Sequence, residues 1–299
     1  MCETSARMDG KVVIITGGST GTGYEAAKVI AKKGARVIIA SRNETKLIKA
    51  RDRIEQITGN KNISYKLLDL ASLNSVRSFA KDTLNLETRV DVLINNAGSI
   101  GLPDKLTADG LNLTMQVNYF GAFLLTYLLM PLLKSSAPSR IINSSASSMY
   151  IGHIDFDHWN DVGYYTSVEV LANSKLAVAL FTAELDQRFK NSGVTANTVD
   201  PFLVQDTNVL NNLPSLVKNI SQLFLDVVGQ PKEDVGEQIA MLASDPVLET
   251  VSGKHFKFYQ KWINHWLVSD RKLTKELWGQ SKSAVNLSSD EDWETYYDN

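Results

Sequence analysis

The sequence predicts an α/β protein: a doubly wound, mostly parallel sheet of seven strands with helices on both faces. Short apolar runs of strand length alternate with longer amphipathic stretches along most of the chain. The short runs are almost continuously apolar, which is typical of strands that helices cover on both sides. A glycine-rich turn joins the first apolar run to the first amphipathic stretch. This alternation favours right-handed βαβ crossovers and hence a parallel sheet.

The first half of the chain alternates regularly between predicted strands and predicted helices. The strands cover residues 11–16, 36–40, 63–68 and 90–95, and the helices cover residues 21–33, 43–57, 72–84 and 107–133. Gly34 suits the position after a helix, where a left-handed backbone is common. Asn43 and Ser72 suit N-cap positions, because their side-chain oxygens can accept hydrogen bonds from the first turn.

The second half of the chain continues the alternation of strands and helices, and its last residues have no periodicity. We expect strands at residues 140–143, 194–199 and 253–258, and helices at residues 168–190, 213–228 and 232–242. No linker-like composition separates these elements, so residues 1–287 are expected to form a single domain. Residues 288–299 have no periodicity and are acidic, so we expect this tail to be disordered. Its acidic residues are Asp290, Glu291, Asp292, Glu294 and Asp298.

Composition excludes several classes of protein. The chain has 299 residues, of which 43% are hydrophobic and 21% charged, with a formal net charge of −2. Cys2, as the single cysteine, excludes an internal disulfide framework and a cysteine-based metal cluster. The near-zero net charge gives no reason to expect nucleic acid as a partner. No run approaches the ~20 apolar residues of a membrane span, so we expect no transmembrane anchor. A core-like segment begins at Lys11, so we expect no signal peptide. Together these expectations predict a cytoplasmic location.

The turn after the first strand predicts a dinucleotide site. It contains Gly17, Ser19, Thr20, Gly21, Thr22 and Gly23. Glycines permit a tight turn and a close approach of the backbone, and the following helix offers N–H groups and a positive dipole to a pyrophosphate. A purely structural turn is the alternative. The position between a buried strand and a helix favours the dinucleotide, and with it a Rossmann-type sheet.

The end of the second strand favours NADP(H) over NAD(H). The chain reads Ile39-Ala40-Ser41-Arg42, without the acidic residue that binds the ribose hydroxyls of NAD. Arg42 can instead pair with a 2′-phosphate. The alternative is a solvated surface arginine.

Over residues 11–287 the chain resembles the short-chain dehydrogenase/reductases, and within them the retinol-dehydrogenase-like branch. Besides the glycine turn, the motifs are Leu68-Asp69-Leu70, Asn95-Asn96-Ala97-Gly98, Val117-Asn118-Tyr119 and Ser174-Lys175-Leu176-Ala177. The resemblance implies that Asp69 and Leu70 lie at the adenine and that Asn95, Ala97 and Gly98 line the cofactor. It implies that Lys175 holds the nicotinamide ribose and that Asn118 supports a water beside that lysine.

The sequence departs from the family at the tyrosine that supplies the proton and at the serine that polarises the substrate carbonyl. The family has a tyrosine four residues before the lysine, on the same helix face, where the ammonium lowers the phenol pKa. Here that position is Leu171. The family also has a pair of serines after the fifth strand, whose second member is catalytic. An ungapped alignment gives Ser145 and then Ala146, although a one-residue shift would let Ser145 or Ser147 substitute.

A third departure lies after the sixth strand. The family has Pro-Gly there, whereas this chain has Pro201-Phe202. A bulky side chain at that position is expected to crowd the nicotinamide or to redirect the loop. Asp206 stands where a Thr or Ser often binds the carboxamide, and Thr207 follows it.

Residues 150–165 contain candidate replacements for the lost acid. Tyr164 and Tyr165 are the most plausible, if the helix of Lys175 begins early; the alternative is an exposed polar loop with tyrosines packed at its root. His153, Asp155, Asp157 and His158 have oxygen and nitrogen ligands for a metal, but no rigid spacing, so no metal site is expected.

Three functions remain open from the sequence. The first is an NADP(H)-binding, regulatory protein with a degraded active site and weak or absent dehydrogenase activity. The second is an active NADP-dependent oxidoreductase on a lipophilic alcohol or carbonyl compound, with a relocated acid. The third is a non-redox isomerase, lyase or cyclase.

The expected partners are few. A small lipophilic molecule would suit aromatic cleft walls near Phe202, Phe224 and Trp262. The chain is either a monomer or a homodimer. In a dimer, apolar residues of the helices at 107–133 and 168–190 would meet across a two-fold axis, unless they face the sheet. Those residues are Phe123, Leu124, Tyr127, Leu128, Ala177 and Ala179.

Overall fold

One mixed sheet organises the part of the chain that this computed structural model describes, residues 6–202, 204 and 229–297. Its strand order is β3-β2-β1-β4-β5-β6-β7-β8. The strands are β1 (Val12–Thr16), β2 (Arg36–Ser41), β3 (Ile63–Leu67), β4 (Val92–Asn95), β5 (Ser139–Ser144), β6 (Val194–Val199), β7 (His255–Lys257) and β8 (Gln260–Trp262). The helices are α1 (Gly21–Lys32), α2 (Glu44–Thr58), α3 (Leu73–Leu86), α4 (Leu113–Ser135), α5 (Ser167–Arg188), α6 (Lys232–Ser244), α7 (Arg271–Ala284) and α8 (Glu294–Tyr297).

The doubly wound architecture is confirmed. Strands β1 to β7 pair in parallel, and apolar cores lie on both faces of the sheet. The strand order reverses between β1 and β4, and ligands of such sheets bind in the crevice at this point, beyond the carboxyl ends of the strands. Asn43 and Ser72 cap α2 and α3 as expected, and Gly34 has a φ of +94°.

The sheet has one strand more than the seven predicted. β8 pairs antiparallel with β7 through a tight hairpin. Its two turn residues, Phe258 and Tyr259, have φ values of +52° and +64°. Hairpin turns of this kind normally contain Asn or Gly, so the sequence carries no recognisable turn signal here.

Helix α4 begins six residues later than expected. Residues 107–112 form a turn with Gly110 at a φ of +77°, and Asn112 caps the helix by accepting hydrogen bonds from Thr114 N and Met115 N. The segment Gln116–Phe120 is a π-helix. By length and apolarity α4 would span a membrane, but most of its residues are buried within the fold. It is therefore a core helix of this structure.

Helix α7 is absent from the sequence predictions and covers the face that a dimer would use. Trp278 of α7 packs against Phe123, Tyr127 and Phe181, with ring centroids 5.5, 5.6 and 5.9 Å apart. Phe123, Leu124, Tyr127, Ala177 and Ala179 are all buried within the chain. These side chains are not available for the contact that the sequence suggested.

The prediction of a disordered acidic tail is wrong for residues 288–297. Trp293 stacks on Tyr127 with ring centroids 4.9 Å apart, and its Nε1 donates to Tyr127 O at 2.9 Å. Glu291, Asp292 and Glu294 meet basic residues on α3, α5 and α7. The ion pairs are Arg77–Glu291, Lys282–Asp292, Lys282–Glu294 and Arg188–Glu294. The acidic side chains of this segment therefore bind it to basic residues of the same chain. The helix expected at 213–228 lies outside the described residues.

Candidate cofactor and substrate site

The glycine turn between β1 and α1 has the geometry that a pyrophosphate needs. Gly17 and Gly21 have φ values of +70° and +60°. A Cβ on Gly23 would lie 2.6 Å from Gly17 O, so only glycine fits. Ser19 and Thr22 are half-buried beside this turn, and Thr20, at the N-cap of α1, is exposed and makes no capping bond through its side chain. The first-turn N–H groups of α1 therefore lie beside a glycine-rich turn, where an anion can approach the backbone.

Asn96 fixes this turn to β4, a role that the sequence analysis did not assign. Its Nδ2 donates to Thr16 O at 3.1 Å, and its Oδ1 accepts from Thr22 Oγ1 at 2.9 Å. Ala97 N donates to Thr16 Oγ1 at 3.0 Å. The position of Asn96, directly after a strand that pairs with β1, is the signal that would have identified it.

The predicted adenine end lies beyond β2 and β3. Arg42 is exposed and makes no ion pair within the described ranges, and Ser41 Oγ is buried without a hydrogen-bond partner. Asp69 Oδ1 accepts from Ala71 N at 3.0 Å, and Leu70 is buried with its carbonyl against Gly121. The exposed guanidinium of Arg42 thus follows β2 directly, at the predicted adenine end.

Asn95 and Gly98 shape the centre of the crevice. Asn95 is buried, and its Nδ2 donates to Thr126 Oγ1 and Asn143 Oδ1, both at 2.8 Å, so it joins α4 and β5 to β4. A Cβ on Gly98 would lie 3.2 Å from Lys175 Nζ and from Asn118 Oδ1. Asn95 thus supports the sheet, and Gly98 allows the backbone to approach the lysine.

Lys175 is buried at the bottom of the crevice. Its Nζ donates to Ser144 O at 3.1 Å. Burial lowers its pKa to about 8, and the charge of Asp200 opposes that shift. Asn118 lies beside it: its Oδ1 accepts from Ser99 N at 2.8 Å, and its Nδ2 donates to Ser99 O and Ser174 Oγ. The ammonium is thus desolvated and held by a carbonyl.

Leu171 stands one turn before Lys175 in the continuous helix α5. Its side chain is half-buried, and its carbonyl accepts from Ser174 Oγ at 2.7 Å. Because α5 has no break between the two residues, the register from Lys175 to Leu171 is fixed. The position on the lysine's face of the helix therefore carries an aliphatic side chain.

The serines after β5 point in different directions. Ser145 is buried, and its Oγ donates to Lys175 O at 3.0 Å, so its hydroxyl faces the backbone of α5. Ala146 follows it. Ser147 Oγ donates to Asp200 Oδ2 at 2.5 Å and accepts from Lys257 Nζ at 2.8 Å. Ser145 thus has a structural contact, and Ser147 belongs to a charged cluster at the end of β6.

Phe202 redirects the loop after β6, one of the two expected outcomes. Its φ is +56°, and its N–H donates to Asp200 Oδ1 at 2.6 Å. Its ring centroid lies 4.1 Å from Lys257 Nζ, a cation–π contact. The ring therefore packs toward β7. Asp206 and Thr207 lie outside the described residues.

The two candidate tyrosines are occupied by other contacts. Helix α5 begins at Ser167, with Thr166 and Glu169 forming a capping box, so both tyrosines precede it. Tyr164 is exposed and stacks on His158 with centroids 4.0 Å apart. Tyr165 donates to Asp155 Oδ2 at 3.1 Å, and burial together with Asp155 raises its pKa to about 12.

No metal centre appears among the residues that the structure describes. There is no group of three or more His, Cys, Asp or Glu side chains there that could hold an ion. In particular, His158 Nδ1 pairs with Asp161 Oδ2 at 2.8 Å, and Asp155 is engaged by Tyr165.

Known proteins resemble this chain over nearly its whole length. The model of the family described as short chain dehydrogenase matches residues 11–216. Retinol dehydrogenase 11 of Mus musculus is 39% identical over 292 residues, covering 97% of this chain and 91% of that protein. Retinol dehydrogenase 13 of Homo sapiens is 38% identical over 292 residues, covering 96% and 88%.

Solved structures share the fold. An uncharacterised protein from Mycobacterium paratuberculosis superposes with a TM-score of 0.74 at 26% identity, over 94% of this chain and 95% of that one. A short chain dehydrogenase from Shigella flexneri, solved in complex with NADP, superposes with a TM-score of 0.68 at 22% identity, over 86% and 100%. The family model covers well over half of the chain, and the protein belongs to the short-chain dehydrogenase/reductase family, in its retinol-dehydrogenase-like branch.

Proposed function

We propose that this protein binds NADP(H) but has weak or absent ordinary dehydrogenase activity, and that it acts by binding or regulation. The first half of the proposal is supported by the glycine turn, by Arg42 and by Lys175. The second half rests on one observation: Leu171 stands on α5 where the proton donor of the family stands.

The size of the expected loss follows from general acid catalysis. A positioned general acid contributes typically ~10²–10⁴-fold to the rate, and a hydrogen-bond donor to the developing oxyanion contributes a similar factor. Leu171 and Ala146 carry no donor on their side chains, and Ser145 donates to Lys175 O. We therefore expect the rate of carbonyl reduction to lack most of the contribution of the general acid and most of that of the oxyanion donor.

The cofactor would be held by residues at both ends of the crevice. When bound, NADPH supplies a hydride. Arg42 would bind the 2′-phosphate, the first turn of α1 would bind the pyrophosphate, and Lys175 would donate to the nicotinamide ribose. With an aliphatic neighbour at Leu171, Lys175 has an orienting role and no phenol to activate.

The contacts of Tyr164 and Tyr165 count against the relocated phenol of the second hypothesis. A catalytic acid needs a pKa near the working pH, whereas the pKa of Tyr165 is raised to about 12. Tyr164 is stacked on His158 at the surface. No contact among the described residues favours the non-redox hypothesis in particular.

We also propose a lipophilic small molecule as the ligand, and the cytoplasm as the location. Phe258 and Trp262 support the ligand, because they are partly exposed aromatic side chains beside the loop after β6. The cytoplasmic location rests on the burial of α4 within the fold, because α4 is the helix of the described residues with the length and apolarity of a membrane span. Helix α7 covers the face of α4 and α5 that a dimer would use, which favours a monomer.

Two measurements on one preparation test the proposal. NADPH fluorescence titration is expected to show saturable binding. The turnover number for all-trans-retinal and for aliphatic aldehydes is expected to be below ~0.01 s⁻¹. This is ~100-fold below the lower end of the ~1–10³ s⁻¹ range that is common among enzymes. Absence of NADPH binding, or turnover within the common range, would contradict it.

A further inference from the structure

A buried charged cluster lies at the carboxyl ends of β6 and β7. It consists of Ser147, from the turn after β5, Asp200, directly after β6, and Lys257, at the end of β7. Asp200 and Lys257 are buried, and their charged groups lie 3.7 Å apart. Ser147 is half-buried and bonded to both. The serine is therefore the least buried member of the cluster.

The two charges force the direction of the Ser147 hydroxyl. A carboxylate only accepts hydrogen bonds, so the hydroxyl proton of Ser147 must point to Asp200. An ammonium only donates, so Lys257 takes one of the two lone pairs of Ser147 Oγ. One acceptor lone pair is left on this oxygen, and no proton is left to donate.

The cluster is held in this state by its surroundings. The Lys257 ammonium lies 4.1, 5.1 and 5.7 Å from the ring centroids of Phe202, Phe258 and Trp262, which stabilise its charge. Asp200 is also fixed by the N–H of Phe202. His255, two residues before Lys257 and on the same face of β7, has its pKa lowered to about 4 by burial and adds no charge at neutral pH. Rotation of the Ser147 hydroxyl away from Asp200 would break the contact with a buried carboxylate.

We propose that Ser147 Oγ binds a ligand group that donates a hydrogen bond, so that this cleft prefers an alcohol over the carbonyl compound of the same shape. The inference deepens the proposed function, because it names the polar group of the ligand in the same cleft. Ser147 adjoins Ala146, the position at which the family has its catalytic serine. A carbonyl oxygen placed there meets an acceptor and no donor, which adds to the loss of reductase activity.

A matched pair of ligands tests the preference without turnover. Binding of 2-decanol and 2-decanone to the full chain is measured by equilibrium dialysis in the absence of cofactor. One hydrogen bond gained by the alcohol is expected to make it bind roughly 3- to 10-fold more tightly than the ketone. In Ser147→Ala the ratio is expected to fall to about 1 through weaker alcohol binding. Ser283→Ala, an exposed serine on α7, is the matched control and is expected to keep the wild-type ratio.

A second variant tests the cause of the preference. Asp200→Val combined with Lys257→Met removes both charges together, so no unpaired charge is left buried. The Ser147 hydroxyl is then free to rotate, and ketone affinity is expected to rise until the ratio approaches 1. If the ketone binds as tightly as the alcohol to the wild type, if Ser147→Ala leaves the ratio unchanged, or if neither ligand binds saturably, the inference is overturned. None of these results affects NADPH binding or turnover, which decide the proposed function separately.

Discussion

Leu171 and Lys175 lie one helical turn apart on the same side of α5, so that an aliphatic side chain is the helical neighbour of a buried ammonium. Lys175 donates to Ser144 O and is surrounded by Asn118 and Gly98. The lysine keeps the position and burial of a cofactor-binding residue. Leu171 has no ionisable group whose pKa such a lysine could lower, and the proposed separation of cofactor binding from proton transfer rests on this relationship.

Restoring the two lost hydroxyls is expected to restore reduction. Leu171→Tyr with Ala146→Ser places a phenol one turn before Lys175 and a hydroxyl after β5. Because the two groups act as a unit on one oxygen, the phenol is expected to add ~10²–10⁴-fold once the serine is present, and the serine alone is expected to add little. The measurement is NADPH oxidation with all-trans-retinal, compared with the wild type.

The matched control is Leu171→Phe with Ala146→Ser, which has nearly the same shape and no phenolic hydroxyl. It is expected to stay within about tenfold of the wild type. A control as active as the tyrosine variant would show that shape, and not a proton, limits the wild type.

Arg42→Ala is expected to weaken NADPH binding selectively. A charge-assisted hydrogen bond contributes about 1.5–3 kcal/mol, and the exposure of Arg42 puts it at the low end, so the Kd for NADPH should rise about tenfold. The Kd for NADH, which lacks the 2′-phosphate, should not change. Fluorescence titration with both nucleotides measures this. Arg51→Ala, a surface arginine paired with Asp52, is the control; equal losses for the two nucleotides would refute the role of Arg42.

Lys175 is expected to make stability depend on alkaline pH. Its pKa is lowered by burial from 10.5 to about 8, so between these values the unfolded chain holds a proton that the folded chain has lost. Stability from this group therefore rises with pH across that window, because the cost of burying the charge disappears. Lys175→Met has no such group. Urea unfolding of both proteins from pH 7 to 10.5 should show the wild type gaining stability relative to the variant above pH 8; a constant difference would refute this.

The C-terminal segment is expected to contribute to stability through Trp293. Its ring stacks on Tyr127 and its Nε1 donates to Tyr127 O. Trp293→Ala should lower the free energy of unfolding by roughly 2 kcal/mol, less than the ~3–5 kcal/mol of a fully buried tryptophan, because this one is half-buried. Trp266→Ala, at a side chain that is 74% exposed, should have little effect. Equal unfolding midpoints for Trp293→Ala and the wild type would show that the docking contributes nothing.

Local signals predicted most of the fold. The apolar runs located β1 to β7, and Asn43 and Ser72 were recognised as caps because capping depends on a few neighbouring residues. The sequence missed α7, although Asp270 at its N-cap and Leu273, Leu277 and Trp278 at helical spacing were readable signals. It missed β8 because the turn residues Phe258 and Tyr259 are not those that its backbone favours.

Contacts between residues that are far apart in the sequence could not be predicted from local patterns. The acidic tail has the composition of a disordered segment, and its contacts with Arg77, Arg188, Lys282 and Tyr127 join it to distant parts of the chain. The contacts among Ser147, Asp200 and Lys257 join residues more than fifty positions apart. The register of Leu171 was predictable because Lys175 lies on the same helix.

A crystal structure of the protein with NADP⁺ and 2-decanol would test the central claim most directly. The account predicts that Lys175 contacts the nicotinamide ribose, that Leu171 faces the space beside the ring, and that no tyrosine hydroxyl lies within ~3 Å of the ligand oxygen. A phenol at hydrogen-bond distance from that oxygen, beside the nicotinamide, would contradict it.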